Sequence, residues 1–230
     1  MIVAKSTKSK RTLAPLLFYS LLLSGLNSGL ISGSMASAQV PLITLSPEFK
    51  AEIREQHGRR ASNRVNRWEK LLAEGPAEDI SSTLRQVNRF FNRIRHREDE
   101  RIWHQDDYWA TPVEMLIKNA GDCEDYTIGK YFTLRAWGIP DAALRLIYVS
   151  RTGEQEPHMV LTYFDDSLEE PVVLDNLMRD IKPVSERTDL QAVYSFNGKN
   201  LWLSENLSEG SLLGSPTSLE HWTSMLNRLP

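Results

Sequence analysis

The chain has 230 residues, with 27 lysines and arginines against 30 aspartates and glutamates and a net charge of −3. That acidic balance argues against nucleic acid or an anionic membrane as the partner. Its single cysteine, Cys123, cannot form an internal disulfide, so the fold must hold by packing, helped at most by a metal.

Lys5, Lys8, Lys10 and Arg11 precede an apolar stretch from Leu13 to Leu26, and Ala36-Ser37-Ala38 follows. These are the parts of a secretory signal peptide, with cleavage expected after Ala38. A transmembrane anchor is the competing reading, but Ser20, Ser24, Gly25, Asn27 and Ser28 dilute the segment below the roughly 20 apolar residues a span needs. Removal of residues 1–38 leaves 23 basic and 30 acidic residues, a net charge of −7, in a mature chain of 192 residues that fits one domain. No stable membrane insertion is expected after cleavage. The domain is expected over residues 39–204, and residues 205–230 as a C-terminal tail.

Ser46-Pro47 signals a helix start, and a helical pattern runs to about His57. A second helix is expected over Ser62 to Leu72, where Val65, Trp68, Leu71 and Leu72 share a face until Gly75-Pro76. A third, from Ala77 to Arg95, aligns Ile80, Leu84, Val87, Phe91 and Ile94, with Arg93, Arg95 and Arg97 as a solvated flank. Glu98 to Thr111 reads as a polar-aromatic loop, the wall of a cleft, exposing Trp103 to Trp109. Thr111-Pro112 then caps a short helix from Val113 to Lys118. Gly121 permits a tight turn, and Asp122 can cap a helix from Cys123 to about Ala136, stopped by Gly138 and Pro140.

Beyond that helix the period changes. Ala143 to Ser150, His158 to Phe164 and Pro171 to Leu177 read as strands, joined by turns at Arg151 to Pro157 and Asp165 to Glu170. A further short strand is expected at Val193 to Phe196 or at Leu201 to Leu203. After Glu205 a loose tail is expected, with a terminal helix at Ser218 to Leu226. The fold class is α+β, helices first and an antiparallel sheet after.

Three residues in this order suit nucleophilic catalysis. Cys123 opens a helix, where the dipole and free N–H groups favour a thiolate and a developing oxyanion. Pairing Phe164 with Pro171 sets Val160 opposite Asp175, with His158 two residues along on the same face. Asp175 can then orient the imidazole, and a slip of one residue would separate the two. Taken singly, each has a plainer role: a lone cysteine packs as a small hydrophobe, a strand histidine sits in a core, and Asp175 starts a turn. Asp122, Glu124 and Asp125 flank the thiol and would raise its pKa. A hard cation such as calcium would neutralise them, although first-turn acids are ordinary. There is no EF-hand pattern, and His57, His96, His104 and His221 lack zinc spacing.

The runs Asp107-Tyr108-Trp109-Ala110-Thr111-Pro112, Gly121-Asp122-Cys123-Glu124-Asp125-Tyr126, Lys130-Tyr131-Phe132-Thr133-Leu134-Arg135, Pro157-His158-Met159-Val160-Leu161 and Val173-Leu174-Asp175-Asn176-Leu177 resemble the bacterial transglutaminase-like cysteine proteinases, the LapG-like periplasmic proteases. The resemblance spans roughly Trp103 to Trp202. It implies a papain/transglutaminase-like fold and a calcium-dependent endopeptidase. Such an enzyme cuts the N-terminal retention region of a large repeat-containing surface adhesin near paired alanines, releasing the adhesin and dispersing biofilm. It further implies Cys123 as nucleophile, His158 as general base and acid, and Asp175 as its orienter. Asp122 and Glu124 match the family's calcium-linked carboxylates, and Asp125 is a further possible ligand. The implied partner is an inner-membrane cyclic-di-GMP receptor resembling LapD, with the loop at Trp103 to Trp109 as a contact surface. Two other readings stay open: acyl transfer to a lysine amine, and a non-catalytic calcium-binding or docking module.

Overall fold

The computed structural model describes residues 45–154, 156–166 and 168–230; the secretory leader expected over residues 1–38 lies outside them. The Ser46 hydroxyl accepts the Phe49 N–H at 3.1 Å and Pro47 takes the first turn of helix α1, Pro47–Glu74. Two helices are expected here, and the structure joins them. Gly58, at φ 78° and ψ 174°, kinks α1 without ending it, because glycine alone among the residues there takes that backbone at no steric cost.

Helix α2, Ile80–Phe91, is capped by Asp79, whose carboxylate accepts the Ser82 N–H at 2.7 Å. It is shorter than the expected span from Ala77 to Arg95, so Arg93, Arg95 and Arg97 lie beyond the helix, exposed. Arg95–His96 form strand β1. Within the expected loop, Asp99–Trp103 coil into the short helix α3. A capping box between Thr111 and Glu114 starts helix α4, Pro112–Lys118. Strand β2, Ala120–Gly121, pairs parallel with β1, and helix α5, Cys123–Ala136, follows.

The remaining strands are β3 (Leu144–Arg151), β4 (Pro157–Tyr163), β5 (Val172–Leu174), β6 (Lys182–Pro183), β7 (Leu190–Phe196), β8 (Leu201–Ser204) and β9 (Gly210–Gly214), and helix α6 spans Glu220–Leu226. They form one antiparallel sheet in the order β6-β5-β4-β3-β7-β8-β9. Helix α5 packs on β4, and α2 packs on α5. The main core, with Trp68, Phe91, Ile128, Phe132, Leu146, Leu161 and Phe196, includes the residues of one sheet face. A smaller cluster of Ile147, Val149, Val160, Val173, Leu190 and Leu207 holds the alternate residues of the same strands. Strands β3 and β4 are thus apolar on both faces, which is why they read as near-continuous apolar runs.

Both short strands offered as alternatives, at Val193 to Phe196 and at Leu201 to Leu203, are present, in β7 and β8. The expected loose tail is not loose. Its β9 pairs with β8, and the terminal helix, at nearly the expected place, buries Trp222 and Met225. Trp222 stacks on Phe132 and meets Tyr131 and Phe196 edge-on, at ring separations of 5.2 to 5.9 Å. A single tryptophan in a Ser/Gly/Leu-rich segment carries no periodic signal, yet it anchors the segment. Among the described residues no helix is long and apolar enough to cross a membrane.

Candidate active site

Cys123 is the first residue of α5, half-buried, with its thiol 3.0 Å from Glu124 Oε2, which accepts its hydrogen bond. Burial pushes the thiol well above its ordinary pKa, and the Glu124 and Asp122 carboxylates add to that; the backbone N–H of Met159 works the other way. Met159 is the residue after His158 in β4. Its carbonyl lies 3.1 Å from the Thr127 hydroxyl, which also sits 2.8 Å from the Cys123 carbonyl. Strand β5 pairs with β4 only over Leu161 to Tyr163. Because the N–H and C=O of one strand residue point to the same edge, the first turn of α5 docks on the edge of β4 that β5 leaves open.

The register between β4 and β5 is the one the sequence predicts: Tyr163 opposes Val172 and Leu161 opposes Leu174. Continued by one pair, it sets Val160 opposite Asp175. His158 and Asp175 are both buried, 4% and 1% exposed, and the imidazole Nε2 lies 2.9 Å from Asp175 Oδ1. The Leu177 N–H donates to the same oxygen at 2.9 Å, and Arg187 Nη2 donates to the other, Oδ2, at 2.9 Å. Burial alone would raise the Asp175 carboxyl. The bond to His158, the imidazole charge, the Leu177 N–H and Arg187 together outweigh burial and hold it far below the usual carboxylate range.

Several residues that support this pair are absent from the sequence-based expectation. Arg187 comes from the loop before β7 and also grips Asp189 through two nitrogens, at 2.8 and 2.9 Å. Asn92, at the end of α2, donates to the carbonyls of Asp175 and Met178 at 2.8 and 3.2 Å. Lys130 is fully buried two turns after Cys123, and its ammonium has no hydrogen-bond partner among the described residues. Burial pulls it down to about 7, opposed by the Asp175 charge. No local motif marks Arg187 or Asn92, which come from different parts of the chain; Lys130 opens one of the runs that carry the family resemblance, but nothing in that run shows its burial.

Asp122 occupies the cap position of α5, but its side chain makes no capping bond. The capping role expected of it is not the one it plays, and its Oδ1 is buried with no hydrogen-bond partner among the described residues. Gly121 serves close approach rather than a turn: a Cβ there would lie 2.6 Å from Asp125 Oδ2, and the left-handed residue at this bend is Asn119, at φ 54°. The bridge between β1 and β2, with the Arg97 N–H on the Gly121 carbonyl at 3.0 Å, brings α3 beside the cysteine turn. Carboxylate oxygens of Asp99, Asp122 and Asp125 consequently fall within 4.8 Å of one another, as do those of Asp99, Asp107 and Glu124. Asp99 and Asp107 are missing from the expected ligands; Asp122, Glu124 and Asp125 are all in the cluster.

Crowding shows in the titration of these groups. Burial pushes Asp122 up to about 11, with Glu124, Asp125 and Asp99 repelling a further negative charge. Asp99 rises to about 7 through burial, against the Tyr108 N–H and with Glu124 and Asp107 adding to the rise. Burial also raises Asp125 and Glu124. Asp99 Oδ1, Asp122 Oδ1 and Asp125 Oδ2 are all buried with no hydrogen-bond partner among the described residues. Acceptor-only oxygens gathered at this spacing fit a hard cation.

The loop at Trp103 to Trp109 is less exposed than expected. Trp109 is buried and stacks on Phe196 at 5.7 Å, and Trp103 packs against Tyr108 with the rings tilted by 31° and 4.4 Å apart. Arg228 closes over the loop, donating to the Trp109 carbonyl at 2.6 Å. The exposed part is His104 to Asp107.

A family model for the bacterial transglutaminase-like cysteine proteinase BTLCP matches residues 58–203. Among solved structures, LapG of Legionella pneumophila is 34% identical over 79% of this chain; its EGTA-treated form gives a TM-score of 0.67 with 97% of that chain covered. The calcium-bound form gives 0.65 with 99% covered, again at 34% identity. None of the curated proteins matches. The helices-then-antiparallel-sheet architecture is thus the transglutaminase-like fold. The family match over residues 58–203 and 34% identity over 79% of the chain, with a lone cysteine on a helix docked beside a buried His–Asp pair, make this protein a member of the bacterial transglutaminase-like cysteine proteinases.

Proposed function

We propose that the protein is a calcium-dependent cysteine endopeptidase of the periplasm, with Cys123 as nucleophile, His158 as general base and acid, and Asp175 as its orienter. The observation that carries this is the buried 2.9 Å His158–Asp175 contact, one residue from the Met159 backbone against which α5 docks. His158 takes the proton of the Cys123 thiol, the thiolate attacks a peptide carbonyl, and the Cys123 backbone N–H at the helix start would face the developing oxyanion. His158 protonates the departing amine. It then takes a proton from water as the thioester is hydrolysed, while Asp175 holds the ring and stabilises its cationic form.

Asp99, Asp122 and Asp125, with Asp107 and Glu124 beside them, would hold the calcium. The ion's charge would offset the carboxylates that oppose a thiolate, and ordering of the cysteine turn follows from the same ligands. Glu124 also accepts a hydrogen bond from the Cys123 thiol at 3.0 Å, a contact that ion binding would compete with. The calcium-bound LapG structure supports the choice of metal.

The substrate we propose is the N-terminal retention region of a large surface adhesin, cut near paired alanines to release it and disperse biofilm. A cyclic-di-GMP receptor of the inner membrane would restrain the enzyme. The test is incubation of purified protein with that adhesin segment, in calcium, in EGTA, and with Cys123→Ala. A calcium-dependent cut that is absent from the variant is expected. An intact segment under every condition, with the protein folded, overturns the substrate assignment.

A further inference from the structure

Helix α2 carries Arg85 and Arg89 one turn apart on an exposed face, with Arg93 one turn further, just past the helix cap. Like charges at this spacing repel. Among the described residues none of the three is in an ion pair, and Arg85 has only the Ser82 hydroxyl, at 2.9 Å. Across from them Arg179 is exposed, and its guanidinium too has no carboxylate partner among the described residues. Four guanidiniums outside any ion pair, with only Asp79 near Arg85 and Asp180 beside Arg179, stand out in a chain with more acid than base.

Between these arginines the surface is concave. A pocket of about 330 Å³ is lined by Leu84, Ile80, Val172 and Ile181 and by Arg85, Arg89 and Arg179, with Asp180 the one carboxylate among its lining residues. A second hollow of about 300 Å³ shares Arg89 and Arg179 with the first and continues to Asn92 and Asn176. Asn176 directly follows Asp175, and Asn92 donates to the Asp175 carbonyl at 2.8 Å. Leu177, 49% exposed, lies on the segment between. The groove therefore runs from an apolar socket, past guanidiniums, to the residue beside the His158–Asp175 pair.

We propose that this groove is an exosite for an acidic stretch of the polypeptide substrate, one bulky apolar residue entering the socket over Leu84 and carboxylates meeting Arg89 and Arg179. The proposal rests on the protease reading for its substrate. Guanidinium forks suit carboxylates in bidentate geometry, and an apolar lining beside them adds an anchor. The two hollows share Arg89 and Arg179 and run on as one elongated groove, which selects a polypeptide over a lipid headgroup, because an extended chain can fill both.

The probe is a fluorescein-labelled dodecapeptide, (Glu-Leu-Asp)4, titrated by fluorescence polarisation into protein carrying Cys123→Ala, with (Gln-Leu-Asn)4 as control. Binding of the acidic peptide alone is expected, weakening at higher salt. Arg89→Glu and Arg179→Glu should each weaken it at least tenfold, and Arg54→Glu, an exposed change on α1, should not. Equal binding of the neutral peptide, no binding, or equal loss in Arg54→Glu overturns the proposal. So does a preference for phosphatidylglycerol vesicles over the peptide, which would assign the groove to a membrane surface. In the active protein, Arg89→Gln with Arg179→Gln should raise KM for the long adhesin segment and leave cleavage of a short peptide spanning the scissile bond unchanged; an unchanged KM counts against the exosite. If peptide binding behaves as expected but nothing is cleaved, the protease reading fails while the anion groove stands.

Discussion

Arg187 takes the oxygen of Asp175 that His158 leaves: Nη2 sits 2.9 Å from Oδ2, while the imidazole meets Oδ1 at the same distance. Both members of this ion pair are almost fully buried, at 3% and 1% exposure. Removing one partner of a buried pair strands the other charge, which costs about 3 to 5 kcal/mol. Arg187→Met should destabilise the fold by that order in chemical denaturation and lower kcat, because an unsupported Asp175 no longer fixes the imidazole. Asp189→Asn removes only the half-exposed partner of Arg187 and should cost under about 1 kcal/mol. Equal effects of the two changes would refute this ordering.

Gly121→Ala tests the packing behind the carboxylate cluster. The new methyl would lie 2.6 Å from Asp125 Oδ2, 2.9 Å from its Cβ and 3.0 Å from Met115 Cε. Asp125 cannot retreat freely, since its Oδ1 holds the Ala110 N–H at 2.7 Å. An overpacking cost of about 1 to 3 kcal/mol is expected, with a loss of calcium affinity in isothermal titration. Wild-type calcium binding in this variant would remove Asp125 from the ligand set.

Much of the candidate site's geometry is legible in the sequence because it is local or fixed by alternation. Cys123 announces itself by being alone at a helix start. The His158–Asp175 contact follows from a short turn joining two strands whose side chains alternate, so one register satisfies both. Asp99 and Arg187 are not legible, since their neighbourhood depends on a two-residue parallel bridge and on a loop crossing back under β5. Gly121 reads as a turn residue because sequence cannot distinguish freedom of φ from lack of room for a Cβ. The tail reads as loose because Trp222, which anchors it, has no periodic companions.

Stability of the metal-free protein should fall as pH rises. Asp99 titrates near 4 in an unfolded chain and at about 7 in the fold, so the folded state holds the proton more tightly. That contribution is complete below about pH 4 and is lost as the pH passes 7. Asp122, raised to about 11, acts in the same direction. In EGTA the melting temperature should therefore be lower at pH 7.5 than at pH 5.5. Calcium should raise it at pH 7.5, where displacing the ligands' protons into solvent costs less, and much less at pH 5.5. Identical melting curves at both pH values, unmoved by calcium, would exclude the cluster as a cation site.

Lys130 gives the opposite sign. Its pKa is about 7 in the fold and about 10.4 when the chain unfolds, so between those values the unfolded state binds the extra proton. The penalty is greatest at and below neutral pH and fades as the pH approaches 10. Lys130→Met keeps most of the side-chain volume and removes an ammonium that has no hydrogen-bond partner among the described residues. We expect the variant to be more stable than the natural protein at pH 7, by about 1 to 4 kcal/mol, the range seen when buried charges give way to apolar residues. The difference should shrink steadily toward pH 10. Denaturant melts of both proteins across that window would show it, and a variant less stable at pH 7 would mean that the Asp175 charge repays the burial of Lys130 in full.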